Sequence, residues 1–186
     1  MQKIAIFASY NGSSLDSIHK ACVDGRLALE VSLVITNNTN ANVLNKAKEY
    51  DIPAFVVNDK SCEDVDSKLE ELLDEYGCEY IFLAGYMKKI PASLTKKYKM
   101  INSHPALLPK FGGKGMYGRN VHEAVVAAGE KQSGVTIHEV NENYDEGAII
   151  LQKSIELEDG ESVESLESKI KKLEQIAVVE ALIKYV

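Results

Sequence analysis

The sequence lacks several features that would place it in a specialised class of protein. No apolar run approaches the roughly 20 residues that a membrane-spanning helix needs. Met1 to Ser9 lacks the layout of a secretory signal and leads directly into an apolar strand. We therefore expect a cytoplasmic protein that has no membrane partner.

Cysteine is scarce. The three cysteines, Cys22, Cys62 and Cys78, are scattered along the chain and form no CxxC pair. This number and spacing indicate neither a disulfide framework nor a zinc site. We expect small core or surface residues in a reducing compartment, and no metal.

Basic residues are outnumbered by acidic ones, 21 to 28, and the net charge is −7. A nucleic-acid partner is therefore not expected, because such binding depends largely on cations facing phosphates. A small local phosphate site is still compatible with this charge. The 186 residues show no repeat, low-complexity stretch or linker, which predicts one domain over residues 1–186.

Short apolar runs alternate with longer amphipathic stretches. The apolar or alternating runs predict seven strands, at 3–8, 31–35, 54–57, 80–84, 99–102, 135–140 and 148–152. The amphipathic stretches predict helices at 15–23, 43–50, 65–76 and 121–128, and from about 166 almost to the C-terminus. This alternation predicts an α/β fold with a mainly parallel, doubly wound sheet of about seven strands and helices on both faces. Ligands of such sheets bind beyond the carboxyl ends of the strands.

The turn after the first strand, Tyr10 to Leu15, has two interpretations. Gly12 allows a tight turn, and the following helix offers free N–H groups to an anion such as phosphate. Alternatively, Ser13 and Asp16 form a capping box with a purely structural role. A dinucleotide site is less expected, because the GxGxxG pattern is missing and no acidic residue ends the second strand.

Two polar residues end the fifth strand, just before Pro105. If the strand extends through Asn102 and His104, both side chains point to the same side. An amide N–H and an imidazolium N–H together suit the stabilisation of an oxyanion in acyl transfer, and imidazole also passes protons near neutral pH. The alternative is a histidine that only makes local bonds at a strand end.

Asp145 alone is typical of a turn. If it lies close to His104, its charge would raise the pKa of that histidine. The other three histidines are weaker candidates. His19 and His122 fall in predicted helices, and His138 falls in an alternating strand, where a core or supporting role is more common.

Four segments together resemble the folate-dependent formyltransferases, in register over nearly the whole chain. They are Asn11 to Ser13, Leu83 to Met87, Asn102 to Pro109, and Asp145 to Gln152. The resemblance implies a Rossmann-like fold, 10-formyltetrahydrofolate as donor and 5-phosphoribosylglycinamide as acceptor. It also implies an acceptor-phosphate-binding half at 1–100 and a catalytic and folate-binding half at 101–186.

The site residues implied by the resemblance fall into three groups. The catalytic residues are Asn102, His104 and Asp145. The acceptor-binding residues are Asn11, Gly12, Ser13, Ser14 and Glu174. The folate-binding residues are Met87, Lys88, Lys89, Ile90, Asn102, Asn141 and Asp145.

In the mechanism that we expect, Asn102 and a protonated His104 stabilise the tetrahedral oxyanion. Asp145 keeps His104 charged and helps to relay the proton. The partners would be small molecules, and the protein would be a monomer or a homodimer.

The sequence departs from the family pattern in several places. Ser14 stands where asparagine is frequent, Lys88 stands where arginine is frequent, and an arginine common near Cys62 is missing. The segment from Phe111 to Arg119 is unusually rich in glycine, so residues 112–118 form either a lid or a surface loop. In the same segment, Lys114 and Arg119 are candidates for attracting the acceptor phosphate.

Other formyl-group enzymes are alternatives. A methionyl-tRNA formyltransferase would need a further basic C-terminal domain, and a formyltetrahydrofolate hydrolase usually has an extra N-terminal domain. Amino-sugar formyltransferases are usually longer. A non-catalytic folate- or nucleotide-binding module is least expected, because binding alone would not need Asn102, His104 and Asp145 together.

Overall fold

The residues Ile4, Ala5, Ile6 and Phe7 form a run with no polar side chain, and all four are fully inaccessible to solvent. This is the pattern of a parallel strand that is covered on both faces. The computed structural model describes residues 1–186. Its strands are β1 (Gln2–Phe7), β2 (Leu29–Thr36), β3 (Ala54–Val56), β4 (Tyr80–Leu83), β5 (Lys99–His104), β6 (Gln132–Glu139) and β7 (Ile149–Glu156). Its helices are α1 (Ser13–Val23), α2 (Val43–Glu49), α3 (Val65–Glu75), α4 (Ala92–Lys97), α5 (Arg119–Ala127) and α6 (Val163–Tyr185).

The strands form one sheet in the order β3-β2-β1-β4-β5-β6-β7. The predicted seven-stranded, mainly parallel α/β fold is confirmed. The chain divides into two compact units, Met1–Ile101 and Asn102–Val186. This division lies one residue from the boundary expected between the two functional halves, whose assigned roles stay predictions.

The first unit is built on parallel pairing. β1 lies between β2 and β4, and β3 pairs with β2, all in parallel. The helices bury one apolar stripe each, with Leu15 and Ile18 of α1 and Leu72 of α3 almost inaccessible to solvent.

The second unit ends in an antiparallel pair. β6 and β7 pair antiparallel from Gln132–Glu156 to His138–Ile149, and α6 packs on both strands. The strand predicted from the apolar run at 148–152 is present as β7, but it is not buried. β7 is the edge strand of the sheet, and Ile149 is 51% exposed.

The six-residue helix α4 is absent from the sequence prediction. It follows Pro91 and buries only Leu94, so it is too short to show a helical period. None of the six helices combines the length and the apolar character needed to cross a bilayer.

Candidate active site

The end of β5 carries the first two candidate catalytic residues. The strand runs through Asn102 and His104, so these two side chains lie on one face and Ser103 lies on the other. His104 is only 3% exposed, although it is a polar residue at the end of a strand. Buried polar side chains of this kind need partners, and those partners define the site.

Asp145 lies close to two histidines and to one backbone amide of the site. Its Oδ2 lies 3.6 Å from Nδ1 of His104, and its Oδ1 lies 3.5 Å from Nε2 of His138. The Gly113 amide donates to Oδ2 over 2.9 Å. The structure therefore brings together Asp145 and His104, two residues 41 positions apart that the sequence could not place side by side.

The backbone of the β6–β7 connection fixes the position of Asp145. Asp145 itself has a left-handed φ of 57°, which is uncommon for a residue other than glycine. Two residues later, a Cβ on Gly147 would lie 1.7 Å from the carbonyl oxygen of Glu139. Only glycine allows this close approach of two backbone segments.

His138, which the sequence indicated only as a weaker candidate with a core or supporting role, is part of the site. It is 2% exposed, and its Nδ1–H donates to the carbonyl of Glu139 over 2.8 Å. Its Nε2 therefore accepts from Nδ2 of Asn102 at 3.1 Å. In this way Asn102 joins the His104–Asp145 pair through the ring of His138. The signal for this residue was its polar side chain on the buried face of an alternating strand.

The two ring nitrogens of His104 both face acceptors. Nε2–H donates to the carbonyl of Phe111 over 2.7 Å, and Nδ1 faces Asp145. Burial lowers the pKa of His104, and the neighbouring Asp145 carboxylate and Phe111 carbonyl offset this only in part. Asp145 favours the charged form of His104, as expected, but desolvation outweighs this attraction and the pKa of His104 lies below its usual value. The role of Asp145 in keeping His104 charged during the reaction stays a prediction.

Asp145 has the opposite balance. Burial raises its pKa, but the contacts with the His138 ring and the Gly113 amide outweigh this and bring the pKa below the usual value. The carboxylate is therefore ionised at neutral pH. The buried anion thus lies beside two imidazole rings and accepts one hydrogen bond, from the Gly113 N–H.

The segment Phe111–Gly113, which we call the backbone clamp, contacts both members of the pair. The Phe111 carbonyl accepts from His104, and the Gly113 N–H donates to Asp145. A Cβ on Gly112 would lie 2.5 Å from Cδ2 of Leu108 and 3.4 Å from Cβ of Asp145. The clamp can approach the pair only because residue 112 has no side chain.

The chain between β5 and the clamp is braced by two polar side chains. Thr136 donates to the Ala106 carbonyl over 2.7 Å and accepts from the Leu108 amide at 3.0 Å. Gln152 donates to the Leu108 carbonyl and to Thr136, both over 2.9 Å. These bonds give a structural reason for Gln152, which is part of the fourth family-like segment.

Glu174 lies outside the cluster. It is a half-buried residue of α6 and lies near Ser103, which alternates to the other face of β5. Burial raises the pKa of Glu174, and the Ser103 hydroxyl and the charge of Lys171 offset this only in part. Its predicted role in holding the acceptor stays a prediction.

The predicted folate residues lie on two segments. Met87 to Ile90 follow β4 in the first unit, where the Met87 amide donates to the Ser9 hydroxyl over 2.7 Å and both lysines are exposed. Asn141 lies in the β6–β7 connection of the second unit, where its Oδ1 accepts from the amide of Asn143. The role of both segments in folate binding stays a prediction.

The turn after β1 does not form the expected capping box. The N-cap of α1 is Gly12, with φ 55° and no side-chain cap. Asp16 instead accepts from Lys46 at 2.5 Å and from Tyr50 at 3.0 Å. The predicted capping box of Ser13 and Asp16 is therefore wrong, and no side chain caps the N-terminus of α1.

The remaining acceptor candidates of this turn are fixed by their neighbours. Asn11 accepts from Asn42 over 2.8 Å, and Ser14 is buried. A Cβ on Gly12 would lie 2.6 Å from Cγ2 of Val43.

In the glycine-rich segment, Arg119 contacts Glu123, Glu164 and Glu167, so its charge is already paired, while Lys114 is exposed.

The whole sequence compares closely with one family of enzymes. The model of the family described as formyl transferase matches residues 2–182. A phosphoribosylglycinamide formyltransferase of Bacillus subtilis is 36% identical over 179 residues, which cover 94% of this chain and 89% of that protein. The crystal structure of a phosphoribosylglycinamide formyltransferase from Bacillus halodurans superposes with a TM-score of 0.90 at 32% identity, over 99% of this chain and 95% of that one.

A chloroplastic phosphoribosylglycinamide formyltransferase of Arabidopsis thaliana is 39% identical over 175 residues, which cover 91% of this chain. This chain spans 60% of the length of that relative, and 61% of the length of a second plant relative, from Vigna unguiculata.

Proposed function

This chain belongs to the formyl transferase family, and from that membership we propose that it transfers the formyl group of 10-formyltetrahydrofolate to the amine of 5-phosphoribosylglycinamide. The cluster of Asn102, His104 and Asp145 is the observation that carries this proposal. The names of the bacterial and plant relatives support the choice of acceptor.

The reaction exchanges one C–N bond for another. The acceptor amine attacks the formyl carbon and forms a tetrahedral intermediate whose oxygen carries a negative charge. The bond between this carbon and the folate nitrogen then breaks. One proton moves from the attacking amine to the leaving nitrogen, which gives the N-formyl product and tetrahydrofolate.

Asn102 is suited to stabilise the oxyanion. Its amide nitrogen carries two N–H groups, of which one donates to His138. The other is left for the substrate oxygen, and the bond to His138 fixes the direction in which it points. Removing one such donor typically costs about 2.7–4 kcal/mol of barrier.

His104 and Asp145 act as the proton-carrying pair. In the resting protein burial favours the neutral imidazole, whereas Asp145 is anionic. A negative charge that develops on the substrate raises the pKa of the imidazole, so the ring gains its proton as the intermediate forms. Asp145 stabilises the resulting imidazolium, and the pair passes the proton towards the leaving nitrogen.

The binding residues follow from the resemblance and from their local structure. We assign the acceptor phosphate to the uncapped turn Asn11–Ser14, because helix N-termini attract anions. Glu174 is assigned to the acceptor as well, and its raised pKa suits hydrogen bonding to a hydroxyl. The folate donor is assigned to Met87–Ile90, Asn102, Asn141 and Asp145.

The cytoplasmic location and the choice between monomer and homodimer stay predictions. The Arabidopsis relative is named as a chloroplastic enzyme, so the compartment differs within the family. Fractionation of the source cells and light scattering of the purified protein would test the two predictions.

The absorbance change on loss of the formyl group from 10-formyl folate tests the reaction directly. We expect turnover only when phosphoribosylglycinamide is present, and loss of this turnover in His104→Ala. Turnover without acceptor would identify a hydrolase instead. Activity with amino sugars but not with phosphoribosylglycinamide would overturn the choice of acceptor, and tight folate binding without any turnover would indicate a binding module.

A further inference from the structure

Asn42 is the N-cap residue of α2, but its side chain does not cap the helix. An asparagine in this position typically accepts a hydrogen bond from a backbone N–H of the first turn, and no such bond is present here. Its Oδ1 accepts instead from Nδ2 of Asn45 over 3.1 Å, and its Nδ2 donates to Oδ1 of Asn11 over 2.8 Å. The side chain of Asn42 therefore links α2 to the turn after β1.

The amides of Asn45, Asn42 and Asn11, which we call the asparagine relay, donate in one direction. Each amide has one acceptor oxygen and an NH₂ group with two donors. Since the bonds run from Asn45 to Asn42 and from Asn42 to Asn11, the relay ends in the NH₂ group of Asn11. Asn11 is exposed, and its Nδ2 has no acceptor in the structure. The turn thus presents N–H groups, and not the amide oxygen, to a ligand.

The first residues of α2 are also held against the turn by their backbone and by packing. The Val43 N–H donates to the Tyr10 carbonyl over 3.0 Å. Cγ2 of Val43 lies only 2.6 Å from the position of a Cβ on Gly12. Further along α2, Lys46 donates to Asp16 of α1 over 2.5 Å. These contacts keep Asn42 within reach of Asn11 before a ligand binds, which lowers the entropic cost of binding.

We propose that Asn42 is a positioning residue for the acceptor, because it orients the amide of Asn11 so that its N–H groups donate to the acceptor phosphate. Asn42 acts only through Asn11. Without the bond from Asn42, the amide of Asn11 could turn its oxygen towards the anion, and two acceptors would then face each other. This inference rests on the proposed assignment of the acceptor phosphate to the turn of residues 11–14.

Asn42→Asp reverses the direction of the relay with almost no change in side-chain shape. A carboxylate at this position still accepts from Asn45, but it cannot donate to Asn11. It accepts from Nδ2 of Asn11 instead, which turns the Asn11 oxygen outward. We expect the KM for phosphoribosylglycinamide to rise roughly tenfold, because a hydrogen bond to a charged group is lost, with little change in kcat. Asn42→Gln keeps the donor and should recover most of the wild-type KM.

Two controls separate positioning from a general effect of charge or folding. Asn40→Asp adds the same charge to the same connection, at an exposed residue whose side chain forms no hydrogen bond, and it should leave the acceptor KM unchanged. An acidic residue at a helix N-cap is favourable, so Tm in Asn42→Asp should not fall. A merely structural role of Asn42 would lower Tm and kcat together. Equal increases of KM in Asn42→Asp and Asn40→Asp would overturn the proposal.

Nuclear magnetic resonance with ribose 5-phosphate tests the contact without formyl transfer. The side-chain amide signals of Asn11, assigned by their absence in Asn11→Ser, should shift when the probe is added. The shift should be lost in Asn42→Asp and kept in Asn40→Asp. Formyl transfer without this shift in the wild-type protein would overturn the role of Asn42 and leave the reaction intact. A shift that depends on Asn42, without any formyl transfer, would support the relay and overturn the proposed reaction.

Discussion

At the scale of the residue, the site depends on which hydrogen-bonding groups are still free to bind a substrate. Asn102 has one N–H committed to His138, and the ring of His138 is oriented by the Glu139 carbonyl. This relay of fixed bonds leaves Asn102 little freedom to rotate. Its remaining N–H is therefore positioned before the substrate binds, which is the condition for effective stabilisation of an oxyanion.

Asn102→Ala should lower kcat by about 10²- to 10³-fold with little change in KM, because the lost donor acts in the transition state. His104→Ala should lower kcat as well. Steady-state kinetics of formyl loss measures both effects. His19→Gln is a suitable control, since the ring of His19 stacks on Tyr50 in the first unit, with 4.2 Å between the ring centroids. A near-normal kcat in Asn102→Ala would contradict the assignment.

The residue scale is also where sequence reasoning reached its limit. Asn102 and His104 could be paired from the alternation of one strand, but the link from Asp145 to His104 is a tertiary contact. His138 was undervalued because a single polar residue in a strand does not reveal which neighbours it meets. The lowered pKa of His104 likewise follows from its burial, which the sequence does not display.

At the scale of the element, the backbone clamp explains why glycine occurs at residue 112. The clamp supplies a carbonyl to His104 and an N–H to Asp145, and both are backbone groups rather than side-chain groups. Its distance from the pair is set by the contact between residue 112 and Leu108.

Gly112→Ala should therefore lower kcat, because its Cβ would displace the clamp from Leu108 and Asp145. Leu108→Val removes the Cδ2 atom that the new Cβ would meet. We expect the double variant Leu108→Val/Gly112→Ala to recover part of the lost kcat. If the double variant is no better than Gly112→Ala, the collision with Leu108 is not the cause.

The turn before α1 gives a second test at this scale. Gly12→Ala should raise KM for the acceptor, because the new Cβ meets Val43 and φ is 55°. KM measurements at saturating donor are suitable. Gly25→Ala is the control for backbone strain, since Gly25 has φ 71° but no atom within 4 Å of its Cβ position. An unchanged acceptor KM in Gly12→Ala would remove the turn from the acceptor site.

Some secondary-structure elements could be predicted from the sequence better than others. The buried parallel strands of the first unit are visible as apolar runs such as Ile4 to Phe7, because both faces are covered. β7 has a similar composition but lies at the edge of the sheet, and strand order cannot be deduced from composition. The capping box at Ser13 failed because Asp16 has stronger partners in Lys46 and Tyr50.

At the scale of the whole molecule, the buried groups of the second unit link stability to pH. The pKa values of His104 and His122 are lowered by burial, and that of Asp145 is lowered by its partners despite burial. At these three groups the unfolded chain binds more protons than the folded one, so their contribution to the free energy of unfolding falls as the pH falls. The raised pKa of Glu174 acts in the opposite direction. For the histidines this loss begins as the pH drops below their ordinary value of 6.5.

Thermal unfolding followed by circular dichroism should show Tm decreasing from pH 7 to pH 5. His104→Gln should reduce this dependence without abolishing it, because His122 contributes in the same direction. The comparison is of slopes, so a constant offset in Tm between the two proteins does not matter. An equal slope in the variant would mean that the pKa of His104 is not lowered in the folded state.

The hydrogen bond between the His104 ring and the Phe111 carbonyl also affects the protein while no acceptor is bound. An imidazole that is already bonded to its own chain is a poor activator of stray water. We expect the donor to be lost to the solvent only slowly while no acceptor is present. The protein would thereby avoid wasteful hydrolysis of the formyl donor. The ratio of acceptor-dependent to acceptor-independent turnover measures this effect.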